Sequence, residues 1–441
     1  MVRTYAGPVN PSTALLTDHY ELTMIQAALA SGHADRRCVF ETFARRLPDG
    51  RRYGVLAGTG RALEALKDFQ FGEEELAFLR ETKVVDERTL EWLAGYRFSG
   101  DIWGYAEGEV YFPGSPLMVV ESTFAEGVVL ETLFLSVLNH DSAVAAAASR
   151  MTAAAGERPC IEMGSRRTHE GSAVAAARAA YLAGFGSTSN LEAGRRHGIP
   201  TKGTAAHSYT LLHEDERETF ANQLSSLGLD TTLLVDTYDV TAAVELAVEL
   251  GGPQLGGVRL DSGDLVSQAH EVRAQLDALG APDTRIVVTS DLDEYAIAAL
   301  AAAPVDVYGV GTRVVTGSGH PAAGMVYKLV SRESSDGVME GVAKASKDKT
   351  SMGGRKYALR RRSGEGVAQA EIIGVNEQPD DDGDDRQLLV PLVERGEVVA
   401  PTDVHTAREH HAMARAELPL RALRLSHGEP AIPTTYLDDW S

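Results

Sequence analysis

Between about Cys160 and Val310 the chain alternates short β-branched runs with longer helical patterns, a rhythm that confines this stretch to a parallel α/β architecture. Thr232-Leu233-Leu234-Val235 precedes Asp239, a residue type suited to an N-cap, and then an apolar helix that Gly251 closes. Gly257-Val258-Arg259 leads into a helix whose Leu265, Ala269, Val272, Leu276 and Leu279 fall on one face before Gly280. Arg285-Ile286-Val287-Val288 comes before Asp291 and a helix stopped by Pro304, and Val305–Tyr308 follows as the next run. Cys160–Met163, Gly184–Gly186 and Ile199–Thr201 are weaker candidates, the last two shortened by glycine and proline. These runs number seven where a regular TIM barrel has eight strands. The fold class expected is α/β, an irregular TIM-like α/β barrel with an N-terminal α/β domain and a C-terminal extension. A doubly wound open sheet would leave the same pattern.

Outside the barrel, residues 1–135 mix a helical Tyr20–Leu29 and Ala62–Leu66 with strand-like Cys38–Phe43 and Val110–Phe112. They are expected to form a domain of their own, with the barrel over 136–330 and a C-terminal region over 331–441 packing on both. Asp380 to Asp385 is an acidic run of the kind that solvates a loop.

Composition narrows the function. The 441 residues carry 42 Lys+Arg against 63 Asp+Glu, a formal charge of −21 that would repel a nucleic-acid backbone or an anionic membrane. Neither is an expected partner. The two cysteines, Cys38 and Cys160, make no metal or disulfide pattern. Met1–Ser12 has no basic region leading into an apolar run, and no uninterrupted apolar stretch reaches about 18 residues, so a cytoplasmic protein is expected.

Polar, glycine-rich clusters follow the strands: Gly164–Arg167, Ser187–Asn190, Gly203–Ser208, Asp236–Asp239, Arg259–Asp264, Ser290-Asp291 and Gly309–Arg313. Loops after the strands of a parallel barrel share one rim, so these groups would converge on one pocket. Turns into helices need Gly, Ser and Asp as caps in any case, but caps do not need the arginines and His207. From Arg150 to Lys202 eight basic residues stand against four acidic ones, 8 − 4 = +4, in a chain that is acidic overall. That field suits a small polyanion. Gly309-Val310-Gly311-Thr312 could cradle a phosphate, although it matches neither a P-loop nor G-x-G-x-x-G. Asp261 and Asp264 could hold Mg²⁺ or sugar hydroxyls, and Asp264 could equally be a first-turn residue that stabilises the helix dipole.

In this order the clusters resemble the nicotinate phosphoribosyltransferase family. The resemblance runs from Leu16-Thr17-Asp18-His19-Tyr20-Glu21-Leu22-Thr23 to about Lys328 and takes in Glu162–Arg167, Thr188-Ser189-Asn190, Gly203–Ser208, Val235–Asp239, Val258–Leu265, Ser290–Glu294 and Tyr308–Arg313. Lys344–Lys349 before Gly353-Gly354 is also family-like. The resemblance implies an irregular barrel joined to an N-terminal domain, a cytoplasmic homodimer with sites at the subunit interface, and a reaction of nicotinate with 5-phosphoribosyl 1-diphosphate. ATP hydrolysis would drive that reaction, with Mg²⁺ bound mainly through diphosphate and its protein ligands unknown. His207 would be the phosphorylated histidine, Asp261 the carboxylate on the ribose hydroxyls, and Arg259 a contact to substrate phosphates. Tyr20 would stack on the pyridine beside Arg166, Asp18 and Asp236 would lie on the substrate side, and Gly309, Gly311 and Thr312 would cradle the 5′-phosphate.

The related nicotinamide enzyme carries aspartate where Ser189 stands, and a carboxylate there would repel a carboxylate substrate, so Ser189 favours the acid. Thr168-His169 and Ser290 depart from the family pattern. A nicotinamide or quinolinate phosphoribosyltransferase and a non-catalytic nucleotide-binding protein are the alternatives. A metal-dependent barrel hydrolase is disfavoured because no pair of barrel histidines has ligand spacing.

Overall fold

The four β-branched runs are strands, Thr232–Leu234, Gly257–Leu260, Arg285–Ser290 and Val307–Val310, with the last of them displaced two residues from the expected Val305–Tyr308, in a computed structural model that describes residues 12–344 and 352–437. Cys160–Glu162 is also a strand. The next strand is Ser187–Thr188 rather than the expected Gly184–Gly186, because Gly184 takes φ +110 in the turn before it. Ile199–Thr201 contributes one parallel bridge, Thr188 to Thr201. Of the family-like stretch Lys344–Lys349, all but Lys344 lies outside the described residues.

All neighbours in this six-stranded sheet are parallel, and the first strand in sequence pairs with the last through Tyr308 and Cys160. Spatial order is therefore a cyclic copy of chain order, as barrel closure requires. A doubly wound sheet would reverse direction midway. Among the described residues the one break in the ring falls between Thr201 and Thr232, which makes the barrel irregular. Leu233, Val258, Ile286, Val288 and Tyr308 are fully buried in it.

Helices return the chain between strands, and their caps are the predicted residue types. Asp239 caps Val240–Gly251 and Asp264 caps Leu265–Ala278, each accepting a backbone N–H with its carboxylate. The first of these helices ends one residue later than expected, with Gly252 at φ +67 as its C-cap. Asp293, not Asp291, caps Glu294–Ala299.

Contacts divide the chain into two units, 143–321 around the barrel and 1–142 with 322–441, where the sequence reading placed three segments with bounds at 135 and 330. The reason is strand pairing. Arg37–Ala44 lies between Met118–Thr123 and Met325–Glu333, while Asp101–Tyr105 pairs with Leu389–Glu394, so one antiparallel sheet draws strands from both ends of the chain. Lys356–Arg362 and Ala368–Val375 form the centre of a further sheet in this unit. Arg360 there is wholly buried, paired with Glu371 at 2.6 Å and Glu109 at 3.4 Å.

The acidic run is only partly solvated. Asp385 is buried against the Arg361 guanidinium at 3.2 Å and accepts from the Arg362 N–H. Phe124–Ala155 is long and apolar enough by composition to cross a membrane, but 67% of its apolar window is buried in protein. Its buried Asp141 pairs with Arg61 at 2.8 Å, as suits a core helix.

Candidate active site

A cavity of about 240 Å³ opens where the barrel strands end, lined by Met163, Arg166, Arg167, Arg259, Asp261, Thr289, Ser290, Asp291, Gly309, Gly311 and Thr312. Four of the seven polar clusters supply all of these residues but Met163 and Thr289. Parallel pairing sets them side by side: Gly309 is in register with Thr289 and Arg259 with Val287.

Gly309 has no room for a side chain, since a Cβ would lie 2.4 Å from Thr289 Cγ2 and 2.9 Å from Met163 Sδ. Thr289 in turn donates a hydrogen bond from Oγ1 to Asp261 Oδ1. The arginine head is set by a second hydroxyl, with Arg259 Nη1 donating to Thr204 Oγ1 at 2.7 Å. Burial presses the Arg259 pKa down, the Asp261 and Asp236 charges oppose that, and the Arg166 charge adds to it. Such a cation gains from an anionic ligand.

His207 begins the short helix His207–Thr210, directly after the irregular residues 202–206. Its Nδ1 is 3.1 Å from Thr237 Oγ1, and its Nε2 is 3.9 Å from both Asp236 Oδ1 and Asp261 Oδ2. The Asp236 side chain is 3% exposed, and its Oδ2 accepts from Asp261 N and Ser262 Oγ, both at 2.9 Å. Its Oδ1 is buried with no hydrogen-bond partner. A histidine and the arginine cavity thus meet at Asp261.

Ser189 lies one strand further on, exposed, its N–H donating to Glu162 O at 2.8 Å. Glu162 is a buried carboxylate beneath the rim that accepts from Thr188 Oγ1 and the Gly164 N–H, and burial raises its pKa.

Asp18 and Tyr20 belong to the other unit, at the start of the helix His19–Ser31. Asp18 makes no side-chain capping bond, and Tyr20 is 46% exposed. Burial, with the charges of Glu131, Glu21 and Asp18, pushes the Tyr20 hydroxyl up to about 12, so it stays a phenol. Wholly buried Glu21 fastens this segment by accepting from Thr17 Oγ1 and from Thr132 N and Oγ1.

Several expectations change. Of the eight basic residues from Arg150 to Lys202, Arg166 and Arg167 line the cavity. Arg150 is buried on Glu294, Arg158 donates to the Tyr308 hydroxyl, and Arg195 and Arg196 pair with Glu192 on the surface. Asp264 caps a helix. Of the two departures from the family pattern, His169 caps Glu170–Leu182 and Ser290 lines the cavity. Thr204, Thr237 and Thr289 were not singled out as site residues, and a threonine at a strand end gives no local sign of a hydroxyl bond across the rim.

Residues 15–139 match the family model described as the nicotinate phosphoribosyltransferase N-terminal domain. The nicotinate phosphoribosyltransferase pncB1 of Mycobacterium tuberculosis is 55% identical over 98% of this chain and 97% of its own length. That of Bacillus subtilis is 38% identical over 80% of this chain and 74% of its own. The crystal structure of human nicotinic acid phosphoribosyltransferase is similar with a TM-score of 0.81 and 25% identity, over 96% of this chain and 98% of that one. Fold and cavity together define a barrel enzyme of the phosphoribosyltransferase type. The likeness over nearly its whole length makes the assignment specific: the chain belongs to the nicotinate phosphoribosyltransferase family.

Proposed function

We propose that this protein joins nicotinate to 5-phosphoribosyl 1-diphosphate, forming nicotinate mononucleotide and diphosphate for NAD salvage, while ATP and water become ADP and phosphate. The observation that carries the reading is the meeting at Asp261 of His207 and the arginine-lined cavity. The 55% identical relative is named a nicotinate phosphoribosyltransferase, which supports the transfer to nicotinate.

The His207 imidazole takes the γ-phosphoryl of ATP: an N–P bond forms, the bond from the γ-phosphorus to the bridging oxygen breaks, and ADP leaves. Water later cleaves the N–P bond. Asp236 and Asp261 compensate the positive charge that builds on the ring. Arg166 and Arg259 hold diphosphate oxygens, Gly309, Gly311 and Thr312 receive the 5′-phosphate, and Asp261 takes the ribose hydroxyls. Diphosphate departs as the ribosyl carbon gains oxocarbenium character, and the nicotinate ring nitrogen attacks it, so the protein contributes alignment and charge stabilisation. Asp261 and Asp291 are oxygen donors on the cavity wall and fit Mg²⁺. When bound, the ion neutralises charge on the diphosphate. Tyr20 and Asp18 act on the pyridine, and Ser189 admits its carboxylate. The protein is a cytoplasmic homodimer in this reading.

The test is product identification after incubation with nicotinate, phosphoribosyl diphosphate, ATP and Mg²⁺. Nicotinate mononucleotide in equal amount to diphosphate is the expected result. Products from nicotinamide or quinolinate alone would reassign the substrate, and binding without turnover would favour a nucleotide-binding protein.

A further inference from the structure

The helix Thr59–Lys67 begins at Gly58, a cap with no side chain to offer. Glu107 takes that part from another segment: its Oε1 accepts from Gly58 N at 2.7 Å and its Oε2 from Gly60 N at 3.1 Å. A carboxylate on a residue only 7% exposed is thus fixed at the positive end of a helix. Beside it opens a second cavity, of about 440 Å³, which shares no lining residue with the arginine cavity. Pro391, Leu392 and Val399 form its apolar wall with Ala407 of the helix Val404–Ala416. Thr59, Glu107, Glu394 and His410 are among its polar groups, and among the described residues no lysine or arginine lines it. His410 Nε2 lies 2.8 Å from Glu109 Oε2, so charge on that ring is answered outside the cavity. Thr59 is 2% exposed, and its Oγ1 is buried with no hydrogen-bond partner. Buried hydroxyls are satisfied in nearly all folded proteins, so this one is set for a partner that the chain does not supply.

Size and charge define the occupant. The volume falls within the range of small-molecule sites, the carboxylates repel phosphates and carboxylic acids, and the apolar wall has nothing to offer a bare metal ion. We propose that this cavity binds a small organic ammonium, with its apolar body against Leu392 and Ala407 and its N–H donors shared between the Glu107 carboxylate and Thr59 Oγ1. An ammonium has three donors and no acceptor, which matches a carboxylate and an unpartnered hydroxyl oxygen. Its bond to the carboxylate is charge-assisted and shielded from water, the combination in which a hydrogen bond is strongest. Occupancy joins segments from distant parts of the chain, Thr59–Lys67, Leu389–Glu394 and Val404–Ala416, and so stabilises the unit they belong to.

The test is titration calorimetry on the full-length protein at neutral pH with benzylammonium and its uncharged counterpart benzyl alcohol, inorganic diphosphate being present to fill the arginine cavity. Benzylammonium binds with a Kd below about 1 mM, within reach of so small a ligand, and benzyl alcohol binds at least about tenfold more weakly. Thr59→Val weakens benzylammonium about tenfold, the worth of one hydrogen bond to a charged group, while Thr59→Ser stays within about twofold of wild type. Without ligand, Thr59→Val melts no lower than wild type, because the hydroxyl it loses has no partner. Glu107→Gln, with its melting temperature confirming the fold, weakens benzylammonium at least about tenfold. Amide exchange over 59–67 slows when benzylammonium is added to wild type. No binding of benzylammonium below about 10 mM, equal binding of the alcohol, or wild-type affinity in Thr59→Val and Glu107→Gln overturns the proposal, the last by showing that the amine binds elsewhere.

Discussion

His207 Nε2 faces Asp236 Oδ1 at 3.9 Å, and that oxygen is buried with no hydrogen-bond partner while its twin accepts from Asp261 N and Ser262 Oγ. One oxygen of the carboxylate builds the loop and the other is left to answer charge on the imidazole. Asp236→Asn keeps an acceptor for the Asp261 N–H but removes the charge. Steady-state kinetics should show ATP-dependent turnover reduced about 10- to 100-fold, with the KM for nicotinate changed little. A fall in nicotinate affinity with ATP coupling intact would place Asp236 on the pyridine.

Gly309→Ala should cost phosphate recognition more than stability. Its Cβ would press into Thr289, the residue that donates to Asp261, at 2.4 Å. The KM for phosphoribosyl diphosphate is expected to rise at least about tenfold, the scale of one lost hydrogen bond to a charged group. An unaltered KM would show that the substrate phosphate lies elsewhere.

Ser189→Asp should turn substrate preference from acid toward amide. A carboxylate at this exposed rim position repels nicotinate and accepts from a carboxamide NH₂. Competition between the two pyridines measures it, with kcat/KM for nicotinate falling about 100-fold.

The strands that were legible from the sequence share a trait. Thr232–Leu234, Gly257–Leu260, Arg285–Ser290 and Val307–Val310 are buried over most of their length, and an aspartate caps the helix after each of the first three, so local pattern and tertiary role agree. Ser187–Thr188 was displaced by three residues because so short a strand is set by pairing with Ile161 and Glu162, not by propensity. Lys356–Arg362 was not marked as a strand, because Arg360, Arg361 and Arg362 in succession break the alternation of apolar and polar residues. In the fold Arg360 meets carboxylates brought from Glu109 and Glu371, far apart in sequence. The cavity followed the same division: Arg166 and Asp261 trail their strands and Arg259 and Gly309 stand near the strand ends, all marked by polar or glycine clusters in the sequence, whereas the hydroxyls of Thr204, Thr237 and Thr289 acquire their partners only on folding.

Lys356→Ala should destabilise the unit formed by the two ends of the chain. Lys356 Nζ lies 2.8 Å from Glu41 Oε2, and both side chains are at most 3% exposed. Removing the cation strands a buried carboxylate at a cost of about 3–5 kcal/mol, read as a lower denaturation midpoint. Glu41→Leu combined with Lys356→Met should recover most of the loss.

Stability should fall on mild acidification. His411 donates from Nδ1 to Gly108 O, and burial holds its pKa down to about 4, with Arg415 and His410 acting in the same direction and Glu109 against it. Below pH 6.5 the unfolded chain binds a proton there that the folded one refuses, so stability drops from that pH to about 4 by up to about 3 kcal/mol. Burial alone would raise the pKa of Glu109, but hydrogen bonding from His410 and the Arg360 and Arg386 charges bring it well below the carboxylate range, which extends the loss to stronger acid. Urea unfolding at pH 7 and 5, with His411→Leu showing a shallower slope than wild type, is the check.

The most direct test of the account is diphosphate release by wild type and His207→Ala with nicotinate, phosphoribosyl diphosphate and Mg²⁺, each with and without ATP. The account predicts release by wild type that ATP strongly enhances, and slow release by His207→Ala that ATP does not change. Full ATP stimulation in the His207→Ala variant, or no release by wild type under any condition, would contradict it.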